Sequence, residues 1–93
     1  MTIHTMADFT PGSSATQLTT NKDLSATWIQ VTVTGNSIRY GDANITSSRG
    51  AKIPASVLFN IVPRDSFDQS RTDLSTIYFI GNGSDTVSIT YGD

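Results

Sequence analysis

The stretch that decides the fold closes the chain: residues 75–93 read Ser-Thr-Ile-Tyr-Phe-Ile-Gly-Asn-Gly-Ser-Asp-Thr-Val-Ser-Ile-Thr-Tyr-Gly-Asp. Two β-rich runs, 76–80 and 86–91, flank a turn over 81–85. In the second run Val87, Ile89 and Tyr91 alternate with Thr86, Ser88 and Thr90. Side chains on a strand change face at every residue, so the run predicts one buried and one wetted side. Asn82-Gly83 tolerates the positive φ that tight turns demand. The stretch is expected to fold as a β-hairpin.

Working outward, residues 26–34 form the strongest single strand. Ile29, Val31 and Val33 make its core face, which leaves Trp28 with Gln30, Thr32 and Thr34 on the other. An outward tryptophan is an interface signal, since large aromatics concentrate where proteins meet; a Trp capping the end of the core is the alternative. Gly35-Asn36 then leads into Ser37-Ile38-Arg39-Tyr40-Gly41-Asp42, which echoes Ser88-Ile89-Thr90-Tyr91-Gly92-Asp93. The echo predicts two similar hairpins, one in each of two sheets, with shared strand-and-turn chemistry alone as the alternative. Residues 56–62 read as a further strand with apolar residues on both faces, hence central or covered. Short strand pieces are expected at 15–20 and 51–54 and a short strand or bulge at 43–46, with Leu24 plugging the core and Pro54 ending its piece or marking an edge.

Residues 63–74 are a polar loop in which 65–69 suit a single helical turn anchored by Phe67. Residues 1–14 show no sustained period and carry Pro11-Gly12-Ser13-Ser14, a turn and linker signature. We read them as an extended arm preceding a domain over 15–93. Ile3, Met6 and Phe9 are apolar side chains that a solvated tail would not need, so docking on an adjacent subunit is the alternative to disorder. About seven short strands with Gly, Asn, Asp and Pro turns, and no helix of normal length, predict an all-β fold. A small β-sandwich, jelly-roll-like or barrel-like, is the expected architecture.

Composition bounds the function. A chain of 93 residues buries roughly 60–65% of its unfolded surface, enough for one modest core. With no cysteine, neither disulfides nor thiolate zinc sites are available. A net charge of −2 gives no basic field for nucleic acid. No long apolar run offers a membrane span, and the first residues lack a basic end followed by an apolar block.

Catalytic chemistry finds little purchase. His4, the one histidine, lies in the arm, and a general base must be held near its substrate. No serine sits in a nucleophile elbow, and no phosphate loop or HExxH helix occurs. Asp65, Asp68, Asp73 and Asp85 lack the spacing of a calcium loop, and isolated aspartates more often close turns on their own backbone. Neither a metal nor a cofactor is expected. Asn44-Ile45-Thr46 and Asn82-Gly83-Ser84 match the glycosylation acceptor pattern and are read as turn residues. Arg49 and Arg64, both on loops, suit bidentate pairing with acidic groups on a neighbour.

Three segments carry a resemblance. Residues 37–42, then Ile45-Thr46-Ser47-Ser48-Arg49-Gly50-Ala51-Lys52-Ile53, and finally Asp73-Leu74-Ser75-Thr76-Ile77-Tyr78-Phe79-Ile80-Gly81-Asn82-Gly83 with Val87-Ser88-Ile89, resemble small all-β virion proteins of tailed bacteriophages. The similarity covers residues 28–93 and rests mostly on turn chemistry. It implies a non-enzymatic capsid cement or decoration subunit on the capsid exterior, made in the host cytoplasm. Its implied partners are the major capsid protein or other virion proteins, together with its own copies; a trimer fits such parts. A head–tail accessory protein is the nearest alternative. A glycan-binding module using Trp28 or Tyr78 as a sugar platform is a rival from another class, and an enzyme is a third. The expected partner-binding residues are Ile3, Met6, Phe9, Trp28, Arg49, Arg64 and Phe67.

Overall fold

The computed structural model describes residues 2–61 and 72–92. Among them the chain is all-β, with ten short strands: β1 (Ile3–Thr5), β2 (Thr16–Gln17), β3 (Ser25–Ala26), β4 (Trp28–Val33), β5 (Arg39–Gly41), β6 (Ala51–Lys52), β7 (Phe59–Ile61), β8 (Thr72–Asp73), β9 (Tyr78–Ile80) and β10 (Val87–Gly92). One 3-10 turn, Leu74–Thr76, sits between β8 and β9; the Asp73 carboxylate caps it by accepting from Ser75 N–H at 3.0 Å and Ser75 Oγ–H at 2.8 Å. The β-branched content explains the class, because Thr, Val and Ile are stiff at χ1 and fit a pleated surface.

The pairing is nested. β1 pairs with β10, β2 with β9, β3 with β8, β4 with β7 and β5 with β6, all antiparallel. The first half of the chain thus runs against the second as one long ribbon whose tip is the loop over 42–50. Two further ladders roll that ribbon up, joining β10 to β4 and β9 to β5. The result is two four-stranded sheets, β1-β10-β4-β7 and β2-β9-β5-β6, plus the two-stranded β3-β8. Inward side chains of both large sheets meet in one cluster that includes Ile29, Val31, Val33, Ile38, Phe79, Val87 and Ile89. Burial of Ile29, Val31 and Val33 agrees with the alternation read from sequence.

Residues 75–93 are not a hairpin. β9 and β10 lie in different sheets, so residues 81–86 arch from one sheet to the other rather than joining neighbours. A hairpin is excluded because each strand's two edges are already taken, β9 by β2 and β5, β10 by β1 and β4. The echo in the sequence does put one copy in each sheet: β5 (Arg39–Gly41) lies within the first copy, and β10 (Val87–Gly92) covers the described part of the second. Both copies follow arches, and the arches lie against each other. Thr34 N–H donates to Thr86 C=O at 3.0 Å, Thr86 N–H to Thr34 Oγ1 at 2.8 Å, and Ser37 N–H to Asp85 Oδ2 at 3.3 Å. Asn82 Nδ2 donates to Ser37 Oγ at 3.4 Å.

Three further expectations change. The strand count among the described residues is ten rather than about seven, because several ladders span only two residues. Among the described residues the run from 56 on is neither long nor central: β7 covers 59–61 and stands at the edge of its sheet. Ser56, with φ of 61°, bends the chain just before it, held by Ser56 N–H to Val33 C=O at 2.9 Å. Residues 43–46 form no strand; Thr46 and Arg49 exchange backbone bonds across a tight turn instead. The expected helical turn at 65–69 lies outside the described residues.

The N-terminal segment is extended, as read, and lies on its own chain. β1 forms the edge next to β10; Met6 N–H donates to Ile89 C=O at 3.2 Å, and Phe9 and Val87 exchange bonds of 3.1 and 2.8 Å. Pro11 is buried, and the carbonyls of Pro11 and Gly12 accept from Gly83 N–H and Gly81 N–H. The segment thereby crosses from one sheet to the other before β2 begins.

Candidate functional site

The two large sheets differ in what covers their outer sides. Over β5, the loop 42–50 folds back: Arg39 donates from Nε to Ser47 C=O at 3.1 Å and from Nη1 to Gly50 C=O at 2.8 Å. Ile45, buried, lies over Gly41, with Cγ2 2.6 Å from where a Cβ would stand. That outer side is therefore partly closed by the chain itself.

No described segment folds back in this way over β1-β10-β4-β7. Its inward residues are known from burial, so its outward residues follow from the two-residue period. Cross-strand register sets them in rows. Ile3, Gly92 and Trp28 form one row; Thr5, Thr90, Gln30 and Asn60 the next; Ser88 and Thr32 the third. None of these side chains is ionisable, in a chain that carries 14 Asp, Glu, Lys and Arg residues. A neighbour can cover such a face without stripping water from a charge, which is the costly step in forming an interface.

Exposed apolar side chains stand at both edges of this sheet, Ile3 on β1 and Val57 and Leu58 in the chain just before β7. Ile3 is 65% exposed, and Val57 and Leu58 are 53% and 58% exposed. Trp28 is half-buried, its indole lying across Gly92 of β10, where any Cβ would collide with Nε1 and Cε2. The strand behind the ring has no side chain at that position, so the indole packs directly against the Gly92 backbone. Exposed aliphatics beside a flat neutral sheet are features of interaction surfaces.

The expected site residues divide. Ile3 and Trp28 come together around Gly92. Met6 and Phe9 pack against their own core, Phe9 edge-to-face on Phe79 with centroids 5.6 Å apart, so intrachain burial accounts for their apolar character. Arg49 is exposed on the ribbon tip, away from the Ile3–Trp28 row in the sheet order. Arg64 and Phe67 lie outside the described residues, as do Asp65 and Asp68. Val57 and Leu58 were not anticipated; the sequence places them in a strand, and only the bend at Ser56 turns them out.

Asp73, Asp85 and His4 have structural roles. Asp73 caps the 3-10 turn, and hydrogen bonds from Ser75 hold its carboxyl below the usual aspartate value. Asp85 braces the two arches through Ser37. His4 stacks on Tyr91 with ring centroids 5.0 Å apart. Among the described residues no three His, Cys, Asp or Glu side chains gather where they could hold a metal ion, and no helix is long and apolar enough to cross a membrane. Comparison with family models, curated proteins and solved structures returns no match.

Proposed function

We propose that this chain is a non-enzymatic structural subunit of a tailed-phage virion, a capsid cement or decoration protein that covers and joins other virion proteins. Its finer architecture is then a jelly-roll sandwich. Support comes from the nested ribbon rolled so that β10 meets β4 and β9 meets β5. Leaving aside the short β3-β8 ribbon, eight strands in two facing sheets have the wiring of the jelly roll, an architecture used by viral capsid and lectin domains. The resemblance of residues 28–93 to small phage virion proteins points the same way.

The observation that carries this proposal is the outer face of β1-β10-β4-β7, which holds no ionisable side chain among the described residues, with Ile3 and Trp28 on it and the exposed Val57 and Leu58 just before β7. The partners are the major capsid protein and further copies of the chain, on the capsid exterior. A head–tail position differs only in which virion protein is covered. Purified chain added to heads assembled without it is expected to bind at a fixed copy number per head, read by gel densitometry and particle reconstruction. No binding to such heads overturns the proposal.

One observation favours a second reading. A tryptophan packed on Gly92 beside Gln30, Thr90 and Asn60 has the stacking surface and neutral hydrogen-bonding groups that a sugar ring requires. On that reading polysaccharide binding in solution is lost in Trp28→Ala with circular dichroism unchanged, whereas head binding without any glycan binding leaves the structural reading alone standing.

A further inference from the structure

We propose that Asn82–Gly83 is a self-modifying site, a point of spontaneous deamidation that the N-terminal segment keeps silent. The chain has five asparagines, and Asn82 alone is followed by glycine. At Asn21, Asn36, Asn44 and Asn60 the next residue carries a side chain that crowds its own backbone nitrogen. Gly83 carries none, and nothing lies within 4 Å of where its Cβ would stand. Asn82 is exposed, so water reaches the site.

The chemistry needs no cofactor. The Gly83 backbone nitrogen loses its proton to hydroxide or buffer base and attacks Asn82 Cγ. A C–N bond closes a five-membered succinimide, the Cγ–Nδ2 bond breaks, and the amide nitrogen leaves as ammonia after taking up a proton. Water then opens the ring at either carbonyl, giving an aspartyl or isoaspartyl residue at position 82. One neutral side chain and one water become a carboxylic acid and ammonia.

Two features of the arch bear on this reaction in opposite senses. Asn82 Oδ1 accepts from Ser84 N–H at 2.9 Å, Ser84 Oγ–H at 3.0 Å and Asp85 N–H at 3.1 Å. Those donors polarise the Cγ carbonyl and are placed to stabilise negative charge on its oxygen as the nucleophile adds. The nucleophile, however, is engaged: Gly83 N–H donates to Pro11 C=O at 3.2 Å. Pro11 is buried, and two residues before it Phe9 anchors the segment on Val87 and Phe79. Release of residues 2–12 frees the Gly83 amide while leaving the donors around Oδ1 in place. The product puts a second carboxylate beside Asp85 and removes the Nδ2 donor to Ser37, and the isoaspartyl form lengthens the arch backbone by one methylene.

The test follows deamidation of the full chain in mildly alkaline buffer by peptide mapping, with isoaspartyl and aspartyl peptides resolved by chromatography. The native chain is expected to react at Asn82 at least about tenfold more slowly than the same chain in denaturant, since reaction from an open form scales with its population. Phe9→Ala, which loosens the segment, is expected to speed both Gly83 amide exchange and Asn82 deamidation severalfold. Val31→Ala, a core change on β4 that is separated from β1 by β10 and makes none of the segment's hydrogen bonds, serves as control at matched melting temperature and is expected to leave the Asn82 rate near that of the intact chain. Equal rates in native and denatured chain overturn the proposal. So does faster Gly83 exchange in Phe9→Ala with an unchanged Asn82 rate, or equal acceleration by Val31→Ala.

Discussion

Gly92 and Trp28 show how a single position couples packing to the candidate surface. The indole occupies the space a side chain at 92 would fill. Gly92→Ala therefore forces the ring off the sheet, a packing conflict expected to cost about 1–3 kcal/mol. For a domain of this size each kcal/mol lowers the melting temperature by roughly 4–8 °C, so calorimetry reads it directly, and tryptophan fluorescence reports the displaced ring. Asp73 gives a pH prediction of defined sign. Its folded carboxyl, held low by Ser75, is ionised where the unfolded one, near about 3.9, is already taking up protons. Its contribution is complete above the unfolded value and is lost as pH falls through the lower folded value. Asp73→Asn is expected to flatten the acid side of the melting-temperature profile and to leave its slope near neutrality unchanged; an identical acid slope in wild type and variant counts against the cap.

At the level of elements, alternation proved readable and partnership did not. Ile29, Val31 and Val33 announce their buried face locally, and Val87, Ile89 and Tyr91 do the same. Nothing in Gly81-Asn82-Gly83 states whether the flanking strands return beside each other or pass to separate sheets, because positive φ at Gly83 suits either path. The choice is made by distant segments: β2 and β5 claim β9, while β1 and β4 claim β10. For the same reason residues 1–14 read as an arm, although the docking partners of Met6, Phe9, Pro11 and Gly12 lie about seventy to eighty residues further along the chain. Half of the candidate surface was legible, in Trp28 and Ile3. The other half was hidden because Val57 and Leu58 depend on one αL residue, Ser56. Removing residues 2–9 should therefore do more than trim a tail. It bares the edge of β10 and the ring of Phe79, and an unpaired strand edge invites association. A lower melting temperature and concentration-dependent aggregation by light scattering are expected; unchanged stability would mean the segment does not close the sheet.

Among the described residues the outer side of β1-β10-β4-β7 carries no ionisable side chain, and that has a measurable consequence. Opposed surface charges lose their attraction as salt rises, with a screening length near 10 Å at 0.1 M ionic strength. An interface made through Thr5, Gln30, Thr32, Ser88 and Thr90 contains no such pair, so its affinity should hardly change between low and high salt. Placing one charge at the centre of the face, as in Thr90→Lys, costs little in the free protein because the ammonium stays in water. On association that ammonium is buried without a counter-charge, a penalty of at least about 2 kcal/mol. Head binding is then expected to weaken by more than about tenfold, since 1.4 kcal/mol is one decade in affinity, while the melting temperature moves little. Arg49→Glu, at the ribbon tip, provides the contrast and is expected to leave binding unaltered. If Thr90→Lys binds as well as wild type while Arg49→Glu does not, the surface that meets the partner is the tip of the ribbon and not the neutral sheet.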